Sequence, residues 1–136
     1  MTALLRAHVA SLKLSAAYIG EQRGLGRRVV LAVGSFLVVD RAGVEYLRAA
    51  AALGDRLAVL VQAPDLADAV ERAEVVAGLR SVDLVVPIGP PGTFDGCLRV
   101  LRPSSLAIAD ATLRERATCD ALGIEVHTRV GARKAA

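Results

Sequence analysis

Val29-Val30-Leu31-Ala32-Val33-Gly34-Ser35-Phe36-Leu37-Val38-Val39-Asp40-Arg41-Ala42-Gly43-Val44-Glu45-Tyr46-Leu47 decides how the rest of the chain is read. Its first five residues are apolar and mostly β-branched, which suits a strand buried on both faces. Gly34 and Ser35 end that run, and Asp40 stands where an N-cap opens a helix with Val44 and Leu47 on one face. Strand, loop and helix in this order put the loop at the carboxyl edge of a sheet, where open α/β sheets hold their ligands.

Outward from this unit the pattern repeats. Apolar segments at Leu57–Val61, Leu84–Ile88, Leu106–Ala109 and Ile124–Val126 are short and rich in branched residues, as buried parallel strands are. Between them lie helical segments over about 41 to 53, 65 to 80 (continuous or broken), 92 to 101 and 111 to 121. Gly54-Asp55, Gly89-Pro90-Pro91-Gly92 and Gly123 punctuate their ends. Leu4, Leu5, Val9, Leu12, Ala16 and Ile19 recur at near-helical intervals before Gly20, Gly24 and Gly26, so an amino-terminal helix is expected within residues 1–23. Alternating elements predict a three-layer α/β domain around a five-stranded parallel sheet, with right-handed crossovers.

The 136 residues, 54% of them hydrophobic, fit one domain over 1–136 with a sizeable core. Seventeen basic against fourteen acidic residues leave only +3, spread along the chain, and there is no Trp and only two Phe and two Tyr. That combination offers neither a basic patch nor a stacking platform, which argues against nucleic acid as a partner. No apolar run approaches the roughly 20 residues that span a bilayer, and Arg6, His8 and Lys13 interrupt the start where a signal peptide would be apolar. A cytoplasmic protein without membrane contact is expected. Cys97 and Cys119 are too few and too far apart for a disulfide scaffold and read as reduced core thiols; His8 and His127 are the only histidines, so no metal site is expected. Residues 131–136, with Arg133 and Lys134, read as a flexible basic tail.

The opening unit resembles the first motif of the cytidylyltransferase-like nucleotidyltransferases, especially the heptose-phosphate adenylyltransferases, in which an apolar strand leads into Gly-Cys-Phe-Asp and then His-x-Gly-His. Further blocks in the same order carry the likeness over roughly residues 24 to 130: Tyr46-Leu47 with Leu53-Gly54-Asp55-Arg56-Leu57, Arg72-Ala73 through Val85-Val86-Pro87, and Leu101-Arg102-Pro103. The resemblance implies a Rossmann-like fold. In that family the two histidines stabilise the nucleotide's phosphates while a phosphate oxygen attacks the α-phosphorus and pyrophosphate leaves. Ungapped alignment through Phe36 and Tyr46-Leu47 puts Asp40 and Gly43 at the histidine positions. Sliding by one residue puts Arg41 and Val44 there instead, at the expense of the Tyr-Leu match.

Other charged positions of the family pattern also differ. Ser35 replaces the Cys and Leu37 the Asp of the loop, Gln62-Ala63-Pro64 replaces an Asn-Ser-Asp segment, and Ile108 stands where a lysine is expected. A basic Gly-rich loop is missing between Val70 and Glu71, and Arg72 alone remains of the charged set. Losing one preorganised donor to a transition-state charge costs about 3–4 kcal/mol. An Asp40 carboxylate about 4 Å from a phosphate charge would add roughly 4 kcal/mol of repulsion at an effective dielectric near 20.

These readings favour a catalytically degenerate member of the fold. Its vestigial pocket would comprise Gly34, Ser35, Phe36, Asp40, Arg41, Gly43, Arg72 and Ile108, with no catalytic residue, metal or cofactor assigned. Such a protein would act as a homodimer, on a pathway enzyme, or by holding a small-molecule ligand. The rival reading is a nucleotidyltransferase using Arg41, Ser35 and Arg72 with a magnesium nucleoside triphosphate, or another reaction in the same crevice. Ser35 with His127 lacks the Gly-x-Ser-x-Gly elbow of a nucleophile, and Gly89-Pro90-Pro91-Gly92 lacks the N–H groups of a phosphate cradle.

Overall fold

The computed structural model describes residues 8–130. In chain order the elements are β1 (His8–Val9), α1 (Leu12–Gly24), β2 (Val29–Gly34), α2 (Arg41–Ala51), β3 (Arg56–Gln62), α3 (Leu66–Ala77), β4 (Leu84–Ile88), α4 (Phe94–Leu101), β5 (Ser105–Ala107), α5 (Leu113–Leu122) and β6 (Glu125–His127). All strand pairs are parallel, and the sheet order is β1-β4-β3-β2-β5-β6. The chain therefore winds from β2 outward through β3 and β4, then returns to the other side of β2 to lay down β5 and β6. This reversal is the topological switch of a Rossmann-like sheet, and it falls between β2 and β5.

Alternation along the strands separates two cores. Val30, Ala32, Val59 and Val61 face α2 and α3 and pack with Leu47, Ala50, Ala73 and Val76. Leu31, Leu60 and Leu106 face the opposite layer, where they meet Ile19 of α1, Leu98 and Leu101 of α4 and Cys119 of α5. Each fully buried Leu or Ile contributes about 1.5–3 kcal/mol. The near-continuous apolar run of β2 follows from this, since both of its faces are covered.

Among the described residues the sheet has six strands rather than the expected five, and the first helix begins at Leu12, with His8–Val9 in a strand where the helix was expected to run. His8 and Val9 extend along the outer edge of β4, with the His8 N–H donating to the Asp83 carbonyl at 3.3 Å and the Ala10 N–H to the Val85 carbonyl at 3.0 Å. Pairing this edge satisfies backbone groups that a helix over the same residues would leave bare. Ser11 then caps α1, its Oγ accepting from the Leu14 N–H. The portion of the expected helix before residue 8 and the basic tail at 131–136 lie outside the described residues.

Helix α3 runs unbroken through Val70 and Glu71. At its start the backbone of Asp65 and Leu66 crosses Gly89 so closely that a Cβ there would lie 2.6 Å from the Leu66 nitrogen. The Gly89-Pro90-Pro91-Gly92 connection is thus a tight crossing point, with a cis Pro90-Pro91 bond. Among the described residues no helix is long and apolar enough to cross a membrane.

Candidate functional site

The divergence of β2 and β5 opens a crevice of about 730 Å³ at the carboxyl edge of the sheet, within the size range of small-molecule sites. Val33 and Gly34 from β2, Ile108 and Ala109 after β5, Phe94 at the start of α4 and Val130 make its apolar walls. Gln62 at the end of β3, Asp110 and Glu115 supply the polar groups, and among the described residues no Lys or Arg lines it.

Tyr46 closes the floor from α2. Its hydroxyl donates to the Ala107 carbonyl at 2.6 Å and accepts from the Val33 N–H at 3.1 Å, joining the two strands where their own ladder stops. Burial pushes this hydroxyl above its ordinary pKa of 10.0, against a smaller opposing effect of the Val33 hydrogen bond. It therefore stays protonated and able to donate at neutral pH. At the opposite rim Glu115 is held in a capping box: its Oε1 accepts from the Thr112 N–H at 2.9 Å while Thr112 Oγ1 accepts from the Glu115 N–H at 3.1 Å. The Asp110 carboxylate and the Gln62 carboxamide have no hydrogen-bond or ion-pair partner among the described residues.

The eight residues singled out in the sequence divide among several places. Gly34 and Ile108 line the crevice. Phe36 and Arg72 line a separate groove of about 280 Å³ between the loop after β2 and α3, together with Leu37, Val39 and Val75. Phe36 adopts a left-handed backbone with φ 48°, and its ring lies over Gly34, where a Cβ would come within 2.9 Å of the ring. The Arg72 side chain is 14% exposed; it donates to the Ser35 carbonyl at 3.3 Å and lies 3.5 Å from Asp68. Arg72 thereby ties the loop to α3.

Asp40 is the N-cap of α2, its Oδ1 accepting from the Gly43 N–H at 3.0 Å. Arg41 is 81% exposed and pairs with Glu45 one turn along at 2.9 Å. Ser35, Asp40, Arg41 and Gly43 line neither cavity. A Cβ at Gly43 would meet only ordinary contact with Asp40 at 3.6 Å, so packing does not demand glycine there. His127 stands on β6, separated from β2 by β5, with Nε2 at 3.2 Å from Glu125, so it does not complete a triad with Ser35. Cys97 and Cys119 are buried, and burial pushes both thiols up, as suits core residues.

Sequence reading missed the roles of Tyr46, Phe94, Asp110, Glu115 and Val130. Tyr46 carried only an alignment signal. Asp110 was legible through its place two residues beyond Ile108, whereas Phe94 and Val130 carried no signal.

No protein-family model matches the chain. It is 42% identical over 83 residues to the bifunctional protein HldE of Shewanella loihica, and 41% identical over 83 residues to that of Shewanella sediminis. Each match takes in 52% of this chain and 17% of the relative, so the chain spans under a fifth of the curated relatives it matches. The crystal structure of the lipopolysaccharide core biosynthesis protein from Thermoplasma volcanium superposes with a TM-score of 0.64 at 23% identity, covering 76% of this chain and 94% of that one. The chain shares that protein's fold. Homology to HldE and this common architecture bear out the resemblance to the cytidylyltransferase-like nucleotidyltransferases.

Proposed function

We propose that this chain is a nucleotidyltransferase-fold protein that has lost nucleotidyl transfer and acts by binding. Its targets are a small ligand in the β2/β5 crevice, or a protein surface belonging to a second copy or a pathway enzyme. The placement of charge supports this reading. At the two positions where the resemblance expects histidine, Asp40 holds its own helix cap and Gly43 has no side chain. Arg41 is turned to Glu45, Arg72 to Ser35 and Asp68, and among the described residues the crevice is lined by carboxylates without a cation. A triphosphate would meet repulsion rather than stabilisation there.

The apolar loop supports self-association. Leu37 and Val38 are 71% and 73% exposed, and Leu37 shares its groove with Val75, so the loop presents apolar surface suited to a partner. Buried thiols accord with a reducing, cytoplasmic setting.

Thermal unfolding with and without nucleotide tests the binding reading. Ligand at about 100 times its Kd stabilises a protein by about 2.7 kcal/mol. Magnesium ATP and magnesium CTP are expected to leave the midpoint unchanged, and a rise of several degrees with either one rejects the proposal. Sedimentation at tens of micromolar is expected to show a dimer, and a monomer there removes the self-association arm.

A further inference from the structure

We propose that the β2/β5 crevice takes a small organic amine: an apolar, aromatic-sized body carrying one ammonium group that faces Asp110. This deepens the binding reading given above and rests on it. Three observations converge. The cavity, at about 730 Å³, is walled by Val33, Phe94, Ile108 and Val130, which favour an apolar body. Among the described residues its only formally charged lining groups are Asp110 and Glu115, a charge that favours a cation over phosphates and carboxylates. Finally, the two groups are not equivalent. Glu115 is committed to the Thr112 capping box, while Asp110 has no partner among the described residues and keeps its full capacity to accept from a ligand.

Gln62 extends the same logic. Its carboxamide faces the crevice from the end of β3, half-buried and without a side-chain partner among the described residues. It offers a donor and an acceptor to a ring N–H or hydroxyl on the ligand body. The Tyr46 hydroxyl, in contrast, is engaged by both Val33 and Ala107 and supplies floor rather than recognition.

Three probes of one shape separate charge from shape: tryptamine, its neutral relative tryptophol and its anionic relative indole-3-acetate. Each is titrated at neutral pH into the isotopically labelled full chain, with backbone amides as the readout. Tryptamine is expected to shift the Gly34 and Ala109 amides and to bind about ten-fold more tightly than indole-3-acetate, with tryptophol between them. Asp110→Asn, which removes no intramolecular bond, is expected to fold normally and to shrink that ratio to about two- or three-fold.

Equal affinity for the cation and the anion, no binding of tryptamine up to millimolar, or a preference unmoved by Asp110→Asn overturns the assignment. Magnesium ATP is titrated in parallel. If it shifts the same amides and displaces tryptamine, the binding reading itself fails. If neither ligand binds, only the amine assignment fails.

Discussion

Tyr46→Phe removes one oxygen atom and keeps the ring, so it isolates what the hydroxyl does between β2 and β5. Two backbone groups lose their partner: the Val33 N–H, now at 3.1 Å, and the Ala107 carbonyl, now at 2.6 Å. An unsatisfied buried polar group costs about 1–3 kcal/mol. Val33 lines the open crevice, so water can replace part of the loss, and the sum comes to about 2 kcal/mol. For a chain of this length each kcal/mol moves the melting temperature by about 3–4 °C, giving a fall of about 7 °C. Urea denaturation should show the same loss as a lower midpoint at unchanged slope. The sign of the pH effect follows from the raised hydroxyl pKa. Its contribution is intact below the unfolded value of about 10 and is lost as pH rises from there through the folded value. Alkaline destabilisation should therefore be shallower in Tyr46→Phe than in the parent. A loss under about 0.5 kcal/mol, with an unchanged alkaline slope, refutes the strand-bridging role.

Two further substitutions probe other links. Arg102 caps α4 with φ 48°, a left-handed conformation that costs a non-glycine residue about 1–2 kcal/mol. Arg23 bonds the Arg102 backbone carbonyl, and the Arg102 side chain makes one long bond, Nε donating to the Arg99 carbonyl at 3.4 Å. Arg102→Gly should thus stabilise by about 0.5 kcal/mol after the entropy of glycine is deducted, read as a higher urea midpoint. Asp40→His with Gly43→His restores the two side chains of the family motif but removes the α2 cap, at about 1 kcal/mol of stability. Pyrophosphate release from ATP with a sugar phosphate should stay at background, because Ile108 and Leu37 still replace a lysine and an aspartate, although nucleotide affinity should rise. Turnover at a rate ordinary for the class would show that two residues alone account for the loss.

The elements set by local pattern were legible in the sequence. β4 occupies Leu84–Ile88 as read, and α2 begins directly after Asp40, because a run of branched residues and a capping aspartate are local signals. β1 was not legible: two residues carry no period, and His8–Val9 becomes a strand only because the edge of β4 lies beside it. The loop after β2 misled in another way. Phe36 turns left-handed and folds its ring onto Gly34, and of the eight residues two line the crevice, two line the groove and four line neither. The crevice itself joins the ends of three strands to Phe94, Glu115 and Val130, positions brought together by strand order rather than by spacing.

Calorimetric titration of magnesium ATP into the full chain tests the loss of nucleotidyl transfer most directly, since binding must precede any transfer. Heats indistinguishable from dilution up to about millimolar nucleotide are expected, from the carboxylates at the crevice and the commitment of Asp40, Arg41 and Arg72 to other bonds. A saturating isotherm with micromolar affinity would contradict that account and return this chain to the enzymes it resembles.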